Sequence, residues 1–179
     1  MRQRLIDFVR TWGLEECLPM RYIRQLLPFA AMLLAGCAST PPDKLRADYP
    51  KEEAQIRYRL NEIIDAAEKK DFNRLDSYHF YGAKFTKFAP EAPGRQDAEV
   101  ARKAEHDGIG AATDLKMQID LLKIDVFGNV GIATFDLKYG FKAASGRIEK
   151  SAHATMVFVK EAGAWKIAHE HLSALKANP

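Results

Sequence analysis

Between Tyr49 and Asp71 the chain reads YPKEEAQIRYRLNEIIDAAEKKD, with Ile56, Leu60, Ile63, Ile64 and Ala67 at helical spacing and charged residues around them. That stripe predicts an amphipathic first helix. In DFNRLDSYH, Asp71 is placed to cap a short second helix that buries Phe72 and Leu75. GAKFTKFAP, from Gly82, reads as a short strand, and GRQDAEVARKAEHDGIGAA, from Gly94, as a third helix that Gly108 or Gly110 ends.

From Leu115 the period becomes alternating. Leu115, Met117, Ile119 and Leu121 are apolar at odd positions, then Leu122, Ile124 and Val126 at even ones, so a bulge is expected near Leu121 and Leu122. A two-residue turn at Gly128-Asn129 then sets Ile124 opposite Ala133 and Leu122 opposite Phe135. Beyond the bulge, Ile119, Met117 and Leu115 meet Leu137, Tyr139 and Phe141. The consequence is a bent antiparallel sheet.

A last hairpin runs from Arg147 to Ser173 around Glu161-Ala162-Gly163. A three-residue loop with glycine third pairs Val159 with Trp165, Val157 with Ile167, Thr155 with His169 and His153 with His171. The opposite face then carries Phe158, Met156, Ala154, Ala168, Lys166 and Glu170. On this register His153, His169 and His171 share a face, as three imidazoles must to hold a zinc ion with an open position.

The front of the chain is different in kind. LLPFAAMLLA, Leu26 to Ala35, follows Arg21 and Arg24 and is too short to span a bilayer, but suits the apolar part of a secretory signal. LAGC, Leu34 to Cys37, comes next and resembles the lipobox of bacterial lipoproteins. That resemblance implies removal of residues 1–36, acylation of Cys37 with palmitate-type chains, and a lipidated tether over 37–50. Ala38 after the cysteine favours the outer membrane, with the domain facing the periplasm. Asp7, Glu15 and Glu16 do not suit a signal's basic start, so Met20 is the expected initiator.

Composition narrows the chemistry further. The two cysteines are Cys17 and Cys37, so residues 51–179 contain no thiol for a disulfide, a thiolate metal site or a nucleophile. Of 27 basic and 24 acidic residues, 5 and 3 precede Cys37. The near-balance that remains provides no basic footprint for nucleic acid.

Three helices, a short strand and a long curved meander closing on GAWKIAHEHLS, Gly163 to Ser173, resemble the cone fold of nuclear transport factor 2, ketosteroid isomerase and the SnoaL-like polyketide cyclases. EKKDFNRLDSYH resembles the SnoaL-like helix-to-helix step. The resemblance implies an α+β fold over 51–179, three N-terminal helices packed on a curved antiparallel sheet forming a cone with a central pocket. Enzymes of that group use a pocket acid, and none can be matched here: Asp120, Asp125, Asp136 and Glu149 fall at outward or ambiguous positions. No catalytic residue is assigned.

The expected pocket lining is Tyr78, Tyr81, Phe85, Phe135, Tyr139, Trp165 and His171, the alternative being that the aromatics simply fill the core. The leading expectation is a lipid-anchored periplasmic domain, without cofactor, binding a small apolar molecule or an envelope protein. Two others stand beside it: an isomerase, cyclase or hydrolase using His171 or His169 as acid or base, and a homodimeric assembly module pairing through Thr155, Val157 and Val159.

Overall fold

The computed structural model describes residues 43–175. The expected leader, Cys37 and the beginning of the expected tether lie outside the described residues. The elements are α1 (Pro50–Glu68), α2 (Phe72–Ser77), β1 (Thr86–Phe88), α3 (Ala98–Ala111), β2 (Thr113–Phe127), β3 (Val130–Ala143), β4 (Gly146–Glu161) and β5 (Ala164–Ala174). They form one five-stranded sheet in the order β1-β5-β4-β3-β2. The four long strands pair antiparallel, and β1 runs parallel to β5. Three helices against a curved sheet is the α+β cone architecture expected.

Helix α1 starts with Pro50 in its first turn and carries Glu52 and Glu53 there, where the helix dipole favours negative charge. It buries Ile56, Leu60, Ile63, Ala66 and Ala67, with Ile64 at the margin of the stripe. The helix lies so close over β3 that a Cβ on Gly131 would come within 2.3 Å of Ile56 Cδ1, so any larger residue there would have to displace the buried Ile56 side chain. Asp71 does cap α2, accepting a hydrogen bond from the Arg74 amide at 3.1 Å. Helix α3, by contrast, runs through Gly108 and Gly110. It ends only where Ala112 turns extended and buries its methyl beside Ala67 and Leu115.

The β2–β3 hairpin has the register read from the alternation. Phe127 pairs with Val130 across Gly128-Asn129, Ile124 with Ala133, Ile119 with Leu137 and Met117 with Tyr139, with a shift between Asp120 and Lys123. Leu121, at the shift, has a left-handed backbone (φ 52) and an 83% exposed side chain. One extra residue there is what returns both halves of β2 to the core.

The β4–β5 hairpin corrects the expected register. Ala162 and Gly163 both have positive φ, 48 and 84, so the turn has two residues rather than three, and Glu161 pairs with Ala164. Such a turn follows the natural twist of the strands. Lys160 therefore faces Trp165 and Phe158 faces Ile167. A bulge at Ala168 follows, after which Val157 pairs with His169, Thr155 with His171 and His153 with Ser173.

That bulge divides β5 into two phases. Trp165 and Ile167 face the core before it, and Glu170 takes the inward place after it. The core gathers Ile56, Leu60, Leu75, Phe85, Phe135, Phe158, Trp165 and Ile167 between α1 and the concave side of the sheet.

Candidate functional site

A buried charge cluster and an apolar cavity meet on the concave side of the sheet. The segment after α2 joins the edge of β5 at its bulge: the Ile167 amide donates to Tyr78 O at 2.9 Å, and the Phe80 amide to Ile167 O at 2.7 Å. Strand β1 then continues beside β5, setting Lys87 against Glu170. This brings His79, Lys87 and Glu170 together at 4%, 7% and 3% exposure. Helix α3 adds Glu105 from above.

The partners are fully specified. His79 Nδ1 is 2.9 Å from the Leu75 carbonyl and Nε2 is 2.6 Å from Glu170 Oε1. Both ring nitrogens face acceptors, so the ring is an imidazolium donating twice. Lys87 Nζ lies 2.7 Å from Glu170 Oε2 and also pairs with Glu105 Oε1. The Tyr81 hydroxyl donates to Glu105 Oε2 at 2.8 Å, and its ring stacks on His79 with centroids 4.7 Å apart.

Burial alone would push the His79 imidazole down, but the hydrogen bond and charge of Glu170, with Glu105 behind it, hold it up at about 9. Burial would raise the Glu170 carboxyl. Lys87 and His79 outweigh burial and hold it well below the usual carboxylate range. Lys87 is likewise held above the ordinary lysine value by Glu170 and Glu105, against the effect of burial. Tyr81 is raised first by burial and then by the charge of Glu105. Two cations and two carboxylates thus balance in a space that water barely reaches.

Two chemical consequences follow. All four oxygens of Glu105 and Glu170 are engaged, so neither carboxylate is available as a general base in this arrangement. Among the described residues His79, Glu105 and Glu170 form the group whose potential ligand atoms lie within 4.8 Å of one another. The Lys87 ammonium already bridges the two carboxylates and supplies the positive charge a metal ion would bring there.

Beside this cluster is a cavity of about 580 Å³. Lys87 and Glu105 form its polar floor. Its walls are Ile109 and Ala112 at the end of α3, Leu115 and Met117 on β2, Leu137, Tyr139 and Phe141 on β3, Ala152 on β4 and Leu172 on β5. The loop of residues 89–96 and Lys150 complete the rim. An apolar chamber of this size with a few convergent polar groups is the usual form of a small-molecule site.

Of the expected lining residues, Tyr139 borders this cavity. Tyr78, Phe85, Phe135 and Trp165 are instead packed core, buried against α1 and α2. Tyr81 does not border the cavity and instead meets the charge cluster, through Glu105 and the His79 ring. Trp165 donates from Nε1 to Gln55 Oε1 at 3.1 Å and borders a shallower groove along α1 with Tyr58 and Arg59.

The three histidines do share a face, but it is the outer one. His153 sits 2.7 Å from Asp136 Oδ1, His169 Nδ1 sits 2.7 Å from Thr86 Oγ1, and His171 packs beside Phe88 with ring centroids 5.6 Å apart. They form no ligand group: the bulge at Ala168 turns His169 and His171 away from the cavity, and His153 faces out by alternation with buried Ala152 and Ala154.

The SnoaL-like domain profile matches residues 56–177. No curated protein matches the chain significantly. Among solved structures, a candidate dehydratase of the NTF2-like family from Streptomyces avermitilis is 15% identical with a TM-score of 0.64, covering 72% of this chain and 100% of that one. An NTF2-like superfamily protein from Salmonella enterica is 17% identical with a TM-score of 0.64, covering 72% and 94%. The CaMKII hub of S. rosetta is 23% identical with a TM-score of 0.60, covering 72% and 99%. These likenesses concern the fold.

Proposed function

The chain belongs to the SnoaL-like domain family, and from that premise and the shape of its cavity we propose that the domain binds a small, largely apolar molecule. The observation that carries this reading is the juxtaposition of an apolar chamber of about 580 Å³ with a floor of fully paired charges. The walls favour hydrocarbon. The floor is saturated within the protein, so it shapes and closes the chamber rather than performing proton transfer. Native mass spectrometry of the purified full chain tests the reading. A co-purifying apolar molecule supports it, provided that Met117→Trp, which narrows the chamber, weakens the adduct.

The place of action proposed for the domain is the bacterial envelope. LAGC supplies a lipid-attachment signal at Cys37, and we take the acylated cysteine to hold the domain at the outer membrane, facing the periplasm.

A second reading has its own observation. Phe127 and Val130 are more than a third exposed, and with Ile132, Val157 and Val159 they form an apolar stripe across the outer sheet face. Such a stripe suits the pairing of two copies of the chain. Sedimentation of the wild type and of Val130→Lys tests it, a dimer that dissociates in the variant being the supporting result.

A further inference from the structure

The rim of the cavity carries a cation that the buried cluster does not use. Tyr139 and Lys150 stand directly opposite each other on β3 and β4, so their side chains leave the sheet on one face, and both border the cavity. Lys150 Nζ lies 3.0 Å from Oε1 of Glu91. Glu91 belongs to the loop 89–96, whose base is fixed by two backbone hydrogen bonds between Lys87 and Gln96, at 3.0 and 2.8 Å. Among the described residues this is the ion pair that Lys150 makes, and both side chains are solvent-accessible.

The two lining lysines therefore differ in kind. Lys87 is enclosed by Glu105 and Glu170 and has no room for another anion. Lys150 is held by one carboxylate oxygen through an accessible, weak pair. The ammonium and the neighbouring phenol stand on two paired strands, whereas the carboxylate comes from a loop without regular structure. Of the two partners, the carboxylate is the one that can leave while the chamber walls stay in place.

We propose that the cavity takes an amphiphile with a carboxylate head and an apolar tail, the head replacing Glu91 on Lys150 at the rim. The tail lies along Met117, Leu137 and Phe141, and the Tyr139 hydroxyl is the second donor to the head. Glu91 is the built-in stand-in for that head, so ligand entry and release of the loop are one exchange. This rests on the cavity-binding reading above. It adds the chemical class of the ligand.

The test uses the full chain loaded with Nile red, displaced in turn by decanoate, decanol and decylamine. Decanoate is expected to displace the dye about threefold more effectively than decanol, the scale of advantage an accessible charge pair brings. Glu91→Gln removes the internal competitor and should strengthen decanoate several-fold while leaving decanol unchanged. Lys150→Met should abolish the preference for decanoate. Equal displacement by decanoate and decanol would overturn the head-group assignment while leaving the cavity reading intact. The best displacement by decylamine, or a decanoate preference that survives in Lys150→Met, would also overturn it. Failure of all three amphiphiles to displace the dye would overturn this inference, and failure of the dye itself to bind the chamber would remove the cavity reading with it.

Discussion

His79 Nε2 lies 2.6 Å from Oε1 of Glu170, a residue 91 positions further along the chain, and both side chains are almost wholly removed from water. The contact joins the segment after α2 to the last strand. Lys87 pairs with the other oxygen of the same carboxylate. The closing strand is thus held to the N-terminal half by charge as well as by apolar packing.

Removing the shared carboxylate charge is expected to be costly. Glu170→Gln leaves His79 and Lys87 with one carboxylate between them in a buried site, and should destabilise the fold by about 3–5 kcal/mol. Glu149→Gln, at an exposed position on β4, should change stability by no more than about 0.5 kcal/mol. Urea unfolding of both variants measures the difference, and equal small losses would contradict the structural role of the cluster.

Stability should also depend on pH in a defined direction. The folded His79 titrates at about 9, above its ordinary 6.5, so its contribution is fully present below 6.5 and is lost as the pH rises through 9. Glu170 is held below its ordinary 4.5, so its contribution is present above 4.5 and is lost as the pH falls through the folded value. Between pH 6.5 and 9, unfolding free energy should therefore fall in the wild type. In His79→Gln the slope over that window should flatten, and parallel slopes would show that His79 is not the titrating group.

Trp165 and His171 should separate cleanly. Trp165 is 2% exposed within the core, so Trp165→Ala should cost about 3–5 kcal/mol. His171 is exposed on the outer face beside Phe88, so His171→Ala should cost about 0.5 kcal/mol or less. Urea melts of the two proteins check this. A loss at His171 comparable to that at Trp165 would mean that the strand faces the other way.

The contrast between the two hairpins explains what could be read in advance. In β2–β3, the jump in apolar phase at Leu121 and Leu122 announces the bulge, and the turn glycine announces the register. In β5, Trp165, Ile167, His169 and His171 keep one parity through the bulge at Ala168, so the alternation conceals the change of face. Glu170 stands in sequence among exposed-looking charges, although its parity with Phe158, Met156 and Ala154 was the available signal that it points inward. His79, Lys87 and Glu105 lie on three separate segments, and only the docking of the segment after α2 and of β1 along β5, with α3 packed over them, brings them together. A charged residue within a short strand looks solvated until its partners arrive.

The proposed anchor makes a separate prediction. Cys37→Ser removes the thiol that would be acylated, and the protein should move from the detergent phase to the aqueous phase on phase separation. Unchanged partitioning of the variant would refute lipid attachment at Cys37.

The central claim is that the chamber beneath α3, not the outer face of the sheet, receives an apolar molecule. Nile red titrated into the full chain should saturate at one site per chain. That site should survive in Val130→Lys, which alters the outer stripe, and should weaken in Met117→Trp, which places an indole against the chamber wall. Binding that persists unchanged in Met117→Trp but is lost in Val130→Lys would contradict the account.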